Sequence, residues 1–351
     1  MPGRWPGSCL ALAPVRDRPE GVSERELERA LTQGWDIEPA ALTYAPVGAG
    51  SYHWVVTGAR GGRWFVTVDD LDHKSWLGST RSAAFAGLRM AFNTAHALRD
   101  QAGLGFVVAP VPGRDGETAE FVNSRYAASV YPYLDGASGQ FGQPLPVPAR
   151  ARLVDMLAAL HQVTPTSQVP VADARLTLRP MLETALSELD GPWSGGPFSD
   201  PARVLLASSA GPIRELLAAF DRLVDLLADR LAAAPDLVIT HGEPHPGNLL
   251  HTEGGPRLID WDTVGLAWPE RDLWSVLSET GEEARRYTEA TGRAINPAAL
   301  SFYRIRWTLD DLAAFTQQLR ADHGDTEDAR EAWQALQEVV ADAAREAAGP
   351  R

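Results

Sequence analysis

The residues that carry the clearest chemistry lie between positions 238 and 263, in the segment VITHGEPHPGNLLHTEGGPRLIDWDT. His241, Glu243 and His245 stand near its start, and Asn248 and Asp260 follow at the ends of apolar runs. Polar groups in such positions need partners, because burying one without a hydrogen bond costs about 1–3 kcal/mol. Three descriptions compete for the segment: a zinc site, a polar turn between two strands, and a phosphoryl-transfer site.

A zinc site is the least favoured of the three. Two ligands four residues apart share a face only on a helix, and Pro244, Pro246 and Gly247 break a helix in this segment. The glutamate also stands one position later than it does in a zinc-binding helix. We therefore do not expect a zinc hydrolase.

Phosphoryl transfer makes better use of the same residues. The reaction needs a carboxylate near the attacking hydroxyl and hard oxygen ligands that hold Mg²⁺ against the phosphates. The segment supplies Glu243, then Asn248, then Asp260 after an apolar strand. A plain hairpin between LVIT and RLIDW does not require Asn248 and Asp260. The order and spacing of these residues therefore favour phosphoryl transfer.

Length and composition narrow the class of protein. The chain has 351 residues, 44% hydrophobic and 22% charged, which is ordinary for a globular protein of two domains or lobes. Its single cysteine, Cys9, excludes a disulfide framework and fits a reducing, cytoplasmic compartment. The net charge of −14 argues against a nucleic-acid partner, and serves either solubility or the attraction of cationic small molecules. No apolar run reaches the roughly 20 residues that span a membrane, and we recognise no signal peptide.

The elements that must position these residues change character along the chain. Residues 1–22, rich in Pro, Gly and Arg, are predicted to be a loose leader. SEREL then has the capping-box pattern of a helix start, so a short helix is predicted to about residue 34. Residues 42–136 read as a small sheet, including FVVAPV and YAASVYPYLDG as strands, with one helix over 79–102.

Beyond Pro148 amphipathic helices dominate the sequence. We predict an α+β protein with a small antiparallel-sheet lobe and a larger, mostly helical lobe. The predicted divisions are a leader at 1–22, an N-terminal lobe at 23–136 and a C-terminal lobe at 137–351.

THGEPHPGNLL together with LIDWD resembles the catalytic segment of the aminoglycoside phosphotransferase family, which has the protein-kinase-like fold. WPERDLW, LAALH and the hinge-like YPYLDG also resemble elements of that family. DWDTVGLAWPERDLW is most similar to the spectinomycin phosphotransferase branch, and the likeness spans roughly residues 42 to 320. The resemblance implies ATP or GTP as phosphoryl donor and Mg²⁺ as cofactor.

Carried onto this sequence, the resemblance implies that Asn248 and Asp260 bind Mg²⁺ and that Glu243 occupies the catalytic-base position. His241 is expected to hold the loop by hydrogen bonds, and Asp272 to brace the loop through its backbone. For the histidine at position 245, contact with phosphate and a plain loop role both stay open.

In the N-terminal lobe, VGAGSYHWVV lies where a phosphate-covering loop belongs. Gly48 and Gly50 would let the backbone approach the phosphates, and Ser51 would donate to them. The third glycine of the kinase pattern is missing, and a tight hairpin is the alternative. Adenine is expected to pair with hinge backbone groups near Tyr131 and Tyr133.

Two departures from the family pattern bear on activity. The usual catalytic aspartate is Glu243, and the third strand, RWFVTVDD, has Thr67 where a phosphate-pairing lysine belongs. The helix at 79–102 also lacks the glutamate that would pair with such a lysine. Lys74 is the only lysine among 32 basic residues, and we predict that it reaches the phosphates from its new position. An exposed loop lysine is the alternative.

The predicted substrate is a small cationic molecule. Asp262 is predicted as an additional acidic group beside the metal, with a solvated carboxylate past the strand end as the alternative. A set of acidic residues on the C-terminal helices would either bind a cationic sugar or cyclitol or be ordinary solvated or helix-capping residues: Glu279, Glu282, Asp310 and Asp311. The expected activity is O-phosphorylation of an aminoglycoside or aminocyclitol antibiotic. The alternatives are a metabolite kinase for choline, homoserine or a sugar, and a pseudokinase that binds nucleotide or ligand without turnover.

Overall fold

The computed structural model describes residues 17–48, 50–140, 142–166, 168–233 and 236–348. Most of the leader predicted at 1–22, including Cys9, lies outside these ranges. The first helix, α1 (Glu24–Trp35), begins with the predicted capping box. The backbone N–H of Ser23 donates to the Glu26 carboxylate at 2.9 Å, and the Ser23 hydroxyl caps the N–H of Glu26 in return.

A five-stranded antiparallel sheet follows α1. Its strands, in the spatial order β1-β2-β3-β5-β4, are β1 (Pro39–Tyr44), β2 (Tyr52–Gly58), β3 (Arg63–Asp70), β4 (Glu120–Phe121) and β5 (Tyr126–Pro132). Side chains alternate across β3: Val66 and Val68 are fully buried in the core that contains α1. Thr67 and Asp69 consequently project from the opposite face.

Helix α2 (Arg81–Asp100) joins the sheet to the rest of the molecule. Its first half buries Ala84 and Leu88 in a small core shared with Ala127 of β5. Its second half packs into the core of the helical lobe through a different set: Ala91, Ala95 and Leu98. A short 3-10 helix, Leu71–His73, and the segment that holds Lys74 connect β3 to α2. The predicted lysine is thus placed between the two lobes.

One predicted strand is wrong. FVVAPV forms no strand, and its only β-type contact is an isolated parallel bridge between Val107 and Leu258. Pro110 and Pro112 have no backbone N–H, so this stretch cannot sustain a sheet ladder. It runs instead between α2 and the edge of the sheet.

The C-terminal lobe consists of helices around short strands. Its elements are β6 (Ala137–Ser138), α3 (Val147–Leu160), α4 (Arg179–Ser187), α5 (Ser199–Leu226), α6 (Ala228–Ala233), β7 (Val238–Thr240), β8 (Leu249–Thr252), β9 (Gly255–Leu258), β10 (Gly265–Ala267), α7 (Glu270–Leu273), α8 (Glu282–Thr291), α9 (Pro297–Arg320) and α10 (Glu327–Ala347). β7 pairs with β10, and β8 pairs with β6 and β9. The plain-hairpin interpretation of LVIT and RLIDW is therefore wrong, because the two runs belong to different sheets.

The helices of the C-terminal lobe enclose a large apolar core. α5, α9 and α10 bury Phe220, Phe302, Phe315 and Leu336 among them. α3 lies against α8 and β7 and closes a second core around Trp261. Among the described residues, no helix is long and apolar enough to cross a membrane. The predicted α+β class, with a small antiparallel sheet and a larger helical lobe, is confirmed.

Candidate active site

His241 ties the candidate catalytic loop, residues 241–248, to the strand end that carries Asp260. The residue is fully buried, and its Nε2–H donates to the carbonyl of Ile259 at 2.9 Å. Its Nδ1 accepts the backbone N–H of Glu243 at 3.2 Å. Burial lowers the pKa of His241, so the neutral imidazole serves as donor and acceptor at once. These contacts agree with the structural role predicted for this histidine.

Asp272 braces the same loop from α7. Its carboxylate accepts the backbone N–H groups of His241 and Gly242 at 2.8 and 2.7 Å. It also accepts Nε2–H of His161, from the end of α3, at 3.0 Å, while Nδ1 of that histidine accepts the Tyr287 hydroxyl at 2.9 Å. Burial opposes ionisation of Asp272, but the hydrogen bond from His161 and the neighbouring positive charges, that of Arg271 among them, together outweigh it and the pKa is lowered. The loop backbone therefore rests on a buried carboxylate.

Gly242 is required by both its conformation and its neighbour. Its φ of +100° lies in the left-handed region, and a Cβ there would stand 2.5 Å from Nη2 of Arg271. The guanidinium of Arg271 in turn donates to the Thr240 hydroxyl at 2.8 Å. The guanidinium of Arg271 therefore packs directly against the backbone of Gly242, the residue that precedes Glu243. The sequence prediction did not include this arginine.

Asn248 is buried where the loop enters β8. Its amide nitrogen donates to the carbonyl of Glu243 at 3.0 Å, which fixes the orientation of the side chain. The amide oxygen makes no hydrogen bond within the part of the chain that the structure describes, so it is available as a ligand. The neighbouring His245 stays within the loop, where its Nδ1 accepts the N–H of Gly247 at 3.1 Å and burial lowers its pKa to about 3.

Asp260, Asp262 and Glu243 concentrate negative charge at this place. Asp260 has a φ of +63°, a left-handed conformation that strains a residue other than glycine and is typical of functional positions. The protein atoms around its carboxyl group, and then the charge of Asp262, raise the pKa of Asp260 well above the ordinary value, and part of the residue is exposed to solvent. Burial and the charge of Asp262 likewise raise the pKa of Glu243 to about 8.

Lys74 lies at the centre of this charge. Its Nζ is 2.7 Å from Oδ2 of Asp262, 2.9 Å from Oδ1 of Asp69 and 3.1 Å from the hydroxyl of Ser51. The residue is 3% exposed, so the alternative of an exposed loop lysine is wrong. Although burial opposes it, the charges of Asp262 and Asp69 raise the pKa of Lys74 and keep it an ammonium.

The predicted phosphate-covering loop leads directly to this lysine. Gly48 and Gly50 have φ angles of +72° and +78°, which only glycine adopts without strain. A Cβ on Gly48 would lie 3.2 Å from Nε2 of His53, the residue at the missing third glycine. The ring of His53 turns toward β3, with Nδ1 3.2 Å from the Thr67 hydroxyl. The hydroxyl of Ser51 donates to Asp69 at 2.6 Å, so the loop end is fastened to β3.

The two hinge tyrosines have different surroundings. Tyr131 is buried edge-on to Phe92 of α2, and burial followed by the charge of Asp69 raises its pKa. Tyr133 lies beyond the end of β5, with the guanidinium of Arg63 3.8 Å above its ring. Pairing of adenine with backbone groups near them stays a prediction.

The four acidic residues predicted for the substrate do not join the cluster. Asp310 is paired with Arg306 of the preceding helical turn at 3.1 Å, and Asp311 is fully buried within α9. Glu279 and Glu282 are exposed, and no described contact links them to the catalytic loop. Burial and pairing inside the helix layer thus remove the first two from an open site. The prediction that these four residues form a substrate site is not supported by their positions.

The donor set fits a magnesium ion shared with phosphates. No group of three or more His, Cys, Asp or Glu residues among those described is arranged to hold a metal alone. Asn248 and Asp260 instead offer two hard oxygen groups, and Mg²⁺ bound with nucleotide takes its other ligands from phosphates and water. Asp260 and Glu243 have raised pKa values because ionisation is opposed in this cluster of carboxylates, and a divalent cation would favour their ionised forms.

A sheet-rich lobe over a helical lobe, with this loop and its carboxylates at their junction, defines a kinase-like phosphotransferase. The phosphotransferase enzyme family matches residues 42–303, and the chain belongs to that family. Protein StrN of Streptomyces griseus is 29% identical over 242 residues, which are 66% of this chain and 70% of that protein. Thiamine kinase of Shigella boydii serotype 4 (strain Sb227) is 31% identical over 180 residues, which are 51% of this chain and 54% of that enzyme.

The fold is likewise that of known phosphotransferases. The crystal structure of spectinomycin phosphotransferase APH(9)-Ia in complex with ADP and spectinomycin gives a TM-score of 0.70 at 18% identity, and covers 94% of this chain and 99% of that chain. The predicted family and the two-lobed kinase-like fold are confirmed, and the chain is a small-molecule kinase.

Sequence reasoning missed three residues that the structure places in or beside the cluster: Asp69, His161 and Arg271. A usable signal existed for Asp69, because period-two alternation along β3 puts it on the same face as Thr67, where the family lysine belongs. LAALH, which ends at His161, was recognised as a family element, but its hydrogen bond to Asp272 requires the tertiary structure.

Proposed function

We propose that the protein transfers the γ-phosphate of ATP or GTP to a hydroxyl of a small cationic molecule of the aminoglycoside or aminocyclitol type. The observation that carries the proposal is the buried ammonium of Lys74, which lies between the glycine loop, β3 and Asp262. Residues 23–136 would form the nucleotide-binding lobe, and residues 137–351 the catalytic and substrate lobe.

The phosphates would lie beneath Gly48, Gly50 and Ser51, with Lys74 as their cationic partner. Asn248 and Asp260 would hold Mg²⁺, which when bound supplies positive charge against the phosphate oxygens. The hinge backbone near Tyr131 and Tyr133 would receive adenine. Asp262, already paired with Lys74 at 2.7 Å, would share that ammonium with the nucleotide.

Glu243 would orient the acceptor hydroxyl. The hydroxyl oxygen attacks the γ-phosphorus, the bond to the bridging oxygen breaks, the nucleoside diphosphate leaves, and the hydroxyl proton passes to the Glu243 carboxylate. Its raised pKa of about 8 suits a proton acceptor once the residue is ionised. Glutamate in place of aspartate keeps this chemistry, because in a loose transition state positioning and charge contribute more than the base.

The substrate class rests on charge and on relatives. The chain carries a net charge of −14, which favours cationic ligands. Its fold neighbour binds spectinomycin, and this likeness motivates the antibiotic assignment. The relationship to thiamine kinase supports the second candidate, a kinase for a cationic metabolite. A pseudokinase is the less favoured candidate, because the buried ammonium of Lys74 beside Ser51 and Asp262 would supply the positive charge that the missing family lysine provides.

The proposal is tested by following nucleoside diphosphate release with Mg-ATP and a panel of aminocyclitols, aminoglycosides, choline, homoserine and thiamine. One acceptor should stimulate release, and Asp260→Asn should abolish the stimulation. An antibiotic that stimulates release supports the first candidate, and a metabolite supports the second. ATP binding that Mg²⁺ does not strengthen, with no stimulation by any acceptor, would indicate the pseudokinase.

A further inference from the structure

Asp69 is a carboxylate that none of the predicted roles includes. It is 1% exposed, and its Oδ1 accepts the Ser51 hydroxyl at 2.6 Å and lies 2.9 Å from Nζ of Lys74. Its Oδ2 is buried and makes no hydrogen bond within the described parts of the chain. Its polar side-chain contacts are thus limited to two groups, both of which face the nucleotide site.

The next residue, Asp70, shows what a structural aspartate looks like in the same strand. It is equally buried, but its carboxylate is 2.5 Å from Nη2 of Arg125 and 3.2 Å from Nδ1 of His73, and it accepts the N–H of Asp72 at 3.1 Å. These contacts fix the turn that leaves β3. Asp69 fixes no turn or backbone group, so its purpose lies in the side chains that it holds.

We propose that Asp69 is a positioning residue, which holds the ammonium of Lys74 and the hydroxyl of Ser51 at the phosphate end of the nucleotide site. The proposal rests on the proposed function, because it assumes that nucleotide phosphates approach Lys74. It assigns to a strand residue the task of anchoring the lysine, for which α2 offers no glutamate.

The geometry explains why one carboxylate would not suffice. The ammonium of Lys74 donates hydrogen bonds to Ser51 and Asp262 and forms an ion pair with Asp69 at 2.9 Å. When a phosphate comes to share the ammonium with Asp262, the ammonium keeps Asp69 of β3 and Ser51 of the glycine loop as partners and stays in place. With the Asp69 charge removed, Asp262 becomes the dominant partner, and the phosphates must compete with it for the ammonium.

The sign of the effect separates positioning from simple charge. Asp69 is negative and lies beside the expected site of the phosphates, so neutralising it should strengthen nucleotide binding if only Coulomb repulsion mattered. A positioning role predicts the opposite result. Asp70→Asn is the matched control, because it removes a buried, ion-paired aspartate from the same strand without touching Lys74.

The test is calorimetric titration of the full-length protein with ATP, first in EDTA and then with Mg²⁺. Asp69→Asn should weaken metal-free ATP binding about tenfold, the equivalent of one charge-assisted hydrogen bond. Asp70→Asn should stay within about twofold of wild type. In a Lys74→Met background, Asp69→Asn should have no further effect, because the group that it positions is gone.

Three results would overturn the inference: ATP binding by Asp69→Asn as tight as wild type or tighter, an equal loss in Asp70→Asn, or a full additional loss in the Lys74→Met background. If Asp69→Asn does not fold, Asp69→Glu keeps the charge but moves the carboxylate, and unchanged ATP affinity in that variant would also overturn it. A wild-type protein that bound no ATP at all would contradict the proposed function itself, which is a distinguishable outcome.

Discussion

Glu243→Gln should make the folding stability of this protein less dependent on pH. In the folded protein without ligands, burial and the charge of Asp262 raise the pKa of Glu243 from 4.5 to about 8. The folded state therefore holds a proton that the unfolded chain has already released in this range. Stability is lost as the pH rises from about 4.5 to about 8, and the loss is complete above the folded-state pKa. Glutamine removes this contribution, because it does not titrate.

The magnitude follows from the size of the pKa displacement. At about 1.4 kcal/mol for each pH unit, a rise from 4.5 to about 8 corresponds to about 5 kcal/mol in total. Between about pH 5.5 and about pH 9 the accessible part is about 3 kcal/mol. As the pH rises across this interval, the free energy of unfolding of Glu243→Gln should therefore increase by about 3 kcal/mol relative to that of wild type.

Urea unfolding followed by tryptophan fluorescence measures this difference at each pH. Glu253→Gln is the matched control, since Glu253 is an exposed glutamate on the turn between β8 and β9 and should leave the pH dependence unchanged. Saturating Mg-ATP should reduce the pH-dependent difference in unfolding free energy between Glu243→Gln and wild type, because Mg²⁺ offsets the charge of the carboxylates that oppose ionisation of Glu243. If the difference in unfolding free energy between Glu243→Gln and wild type stayed constant from about pH 5.5 to about pH 9 in the free protein, the reasoning about Glu243 would be refuted.

Three further predictions follow from the loop and the charge cluster. Gly242→Ala should lower the free energy of unfolding, measured in urea, by about 3 kcal/mol, because it combines a left-handed backbone with a 2.5 Å approach to Arg271. Gly103→Ala is the control: Gly103 has a φ of +69° and open space around it, so the variant should lose only about 1 kcal/mol. Equal losses in the two variants would contradict a role for the contact with Arg271. Asp272→Asn should reduce stability by about 2–4 kcal/mol and lower turnover as well, because three donors lose a charged acceptor; unchanged turnover in the folded variant would argue against the brace. Lys74→Met should bind Mg²⁺ more tightly than wild type in the absence of nucleotide, because the clustered carboxylates lose their ammonium. The rise of the thermal unfolding temperature with Mg²⁺ concentration measures this binding. A smaller rise in Lys74→Met than in wild type would contradict the prediction.

The catalytic loop was the most predictable part of the molecule. Pro244, Pro246 and Gly247 exclude a helix on local grounds alone, and the spacing from Glu243 to Asp260 reflects a chemical requirement. Helices such as α1 were equally accessible, because a capping box is a local signal. Even the unusual place of Lys74 was open to prediction, since a single lysine among 32 basic residues stands out.

The parts that failed depend on tertiary contacts. The sequence shows that α2 lacks the glutamate expected to pair with the family lysine, but it does not show that Asp69 of β3 pairs with Lys74. Asp310 was predicted to face substrate, but it pairs with Arg306 one helical turn away, and sequence does not say which way a helix face turns. FVVAPV has strand composition, yet its prolines and its neighbours leave it only a single bridge.

The central claim is that this junction transfers phosphate to a small hydroxyl compound, and phosphorus NMR tests it most directly. Wild-type protein with Mg-ATP and the acceptor panel should produce a new phosphomonoester signal in step with ADP. Asp260→Asn should produce none, and Lys74→Met should produce it much more slowly at low ATP concentration. If the protein bound Mg-ATP yet no phosphomonoester arose with any acceptor, and Asp260→Asn bound Mg-ATP equally well, the result would contradict the account.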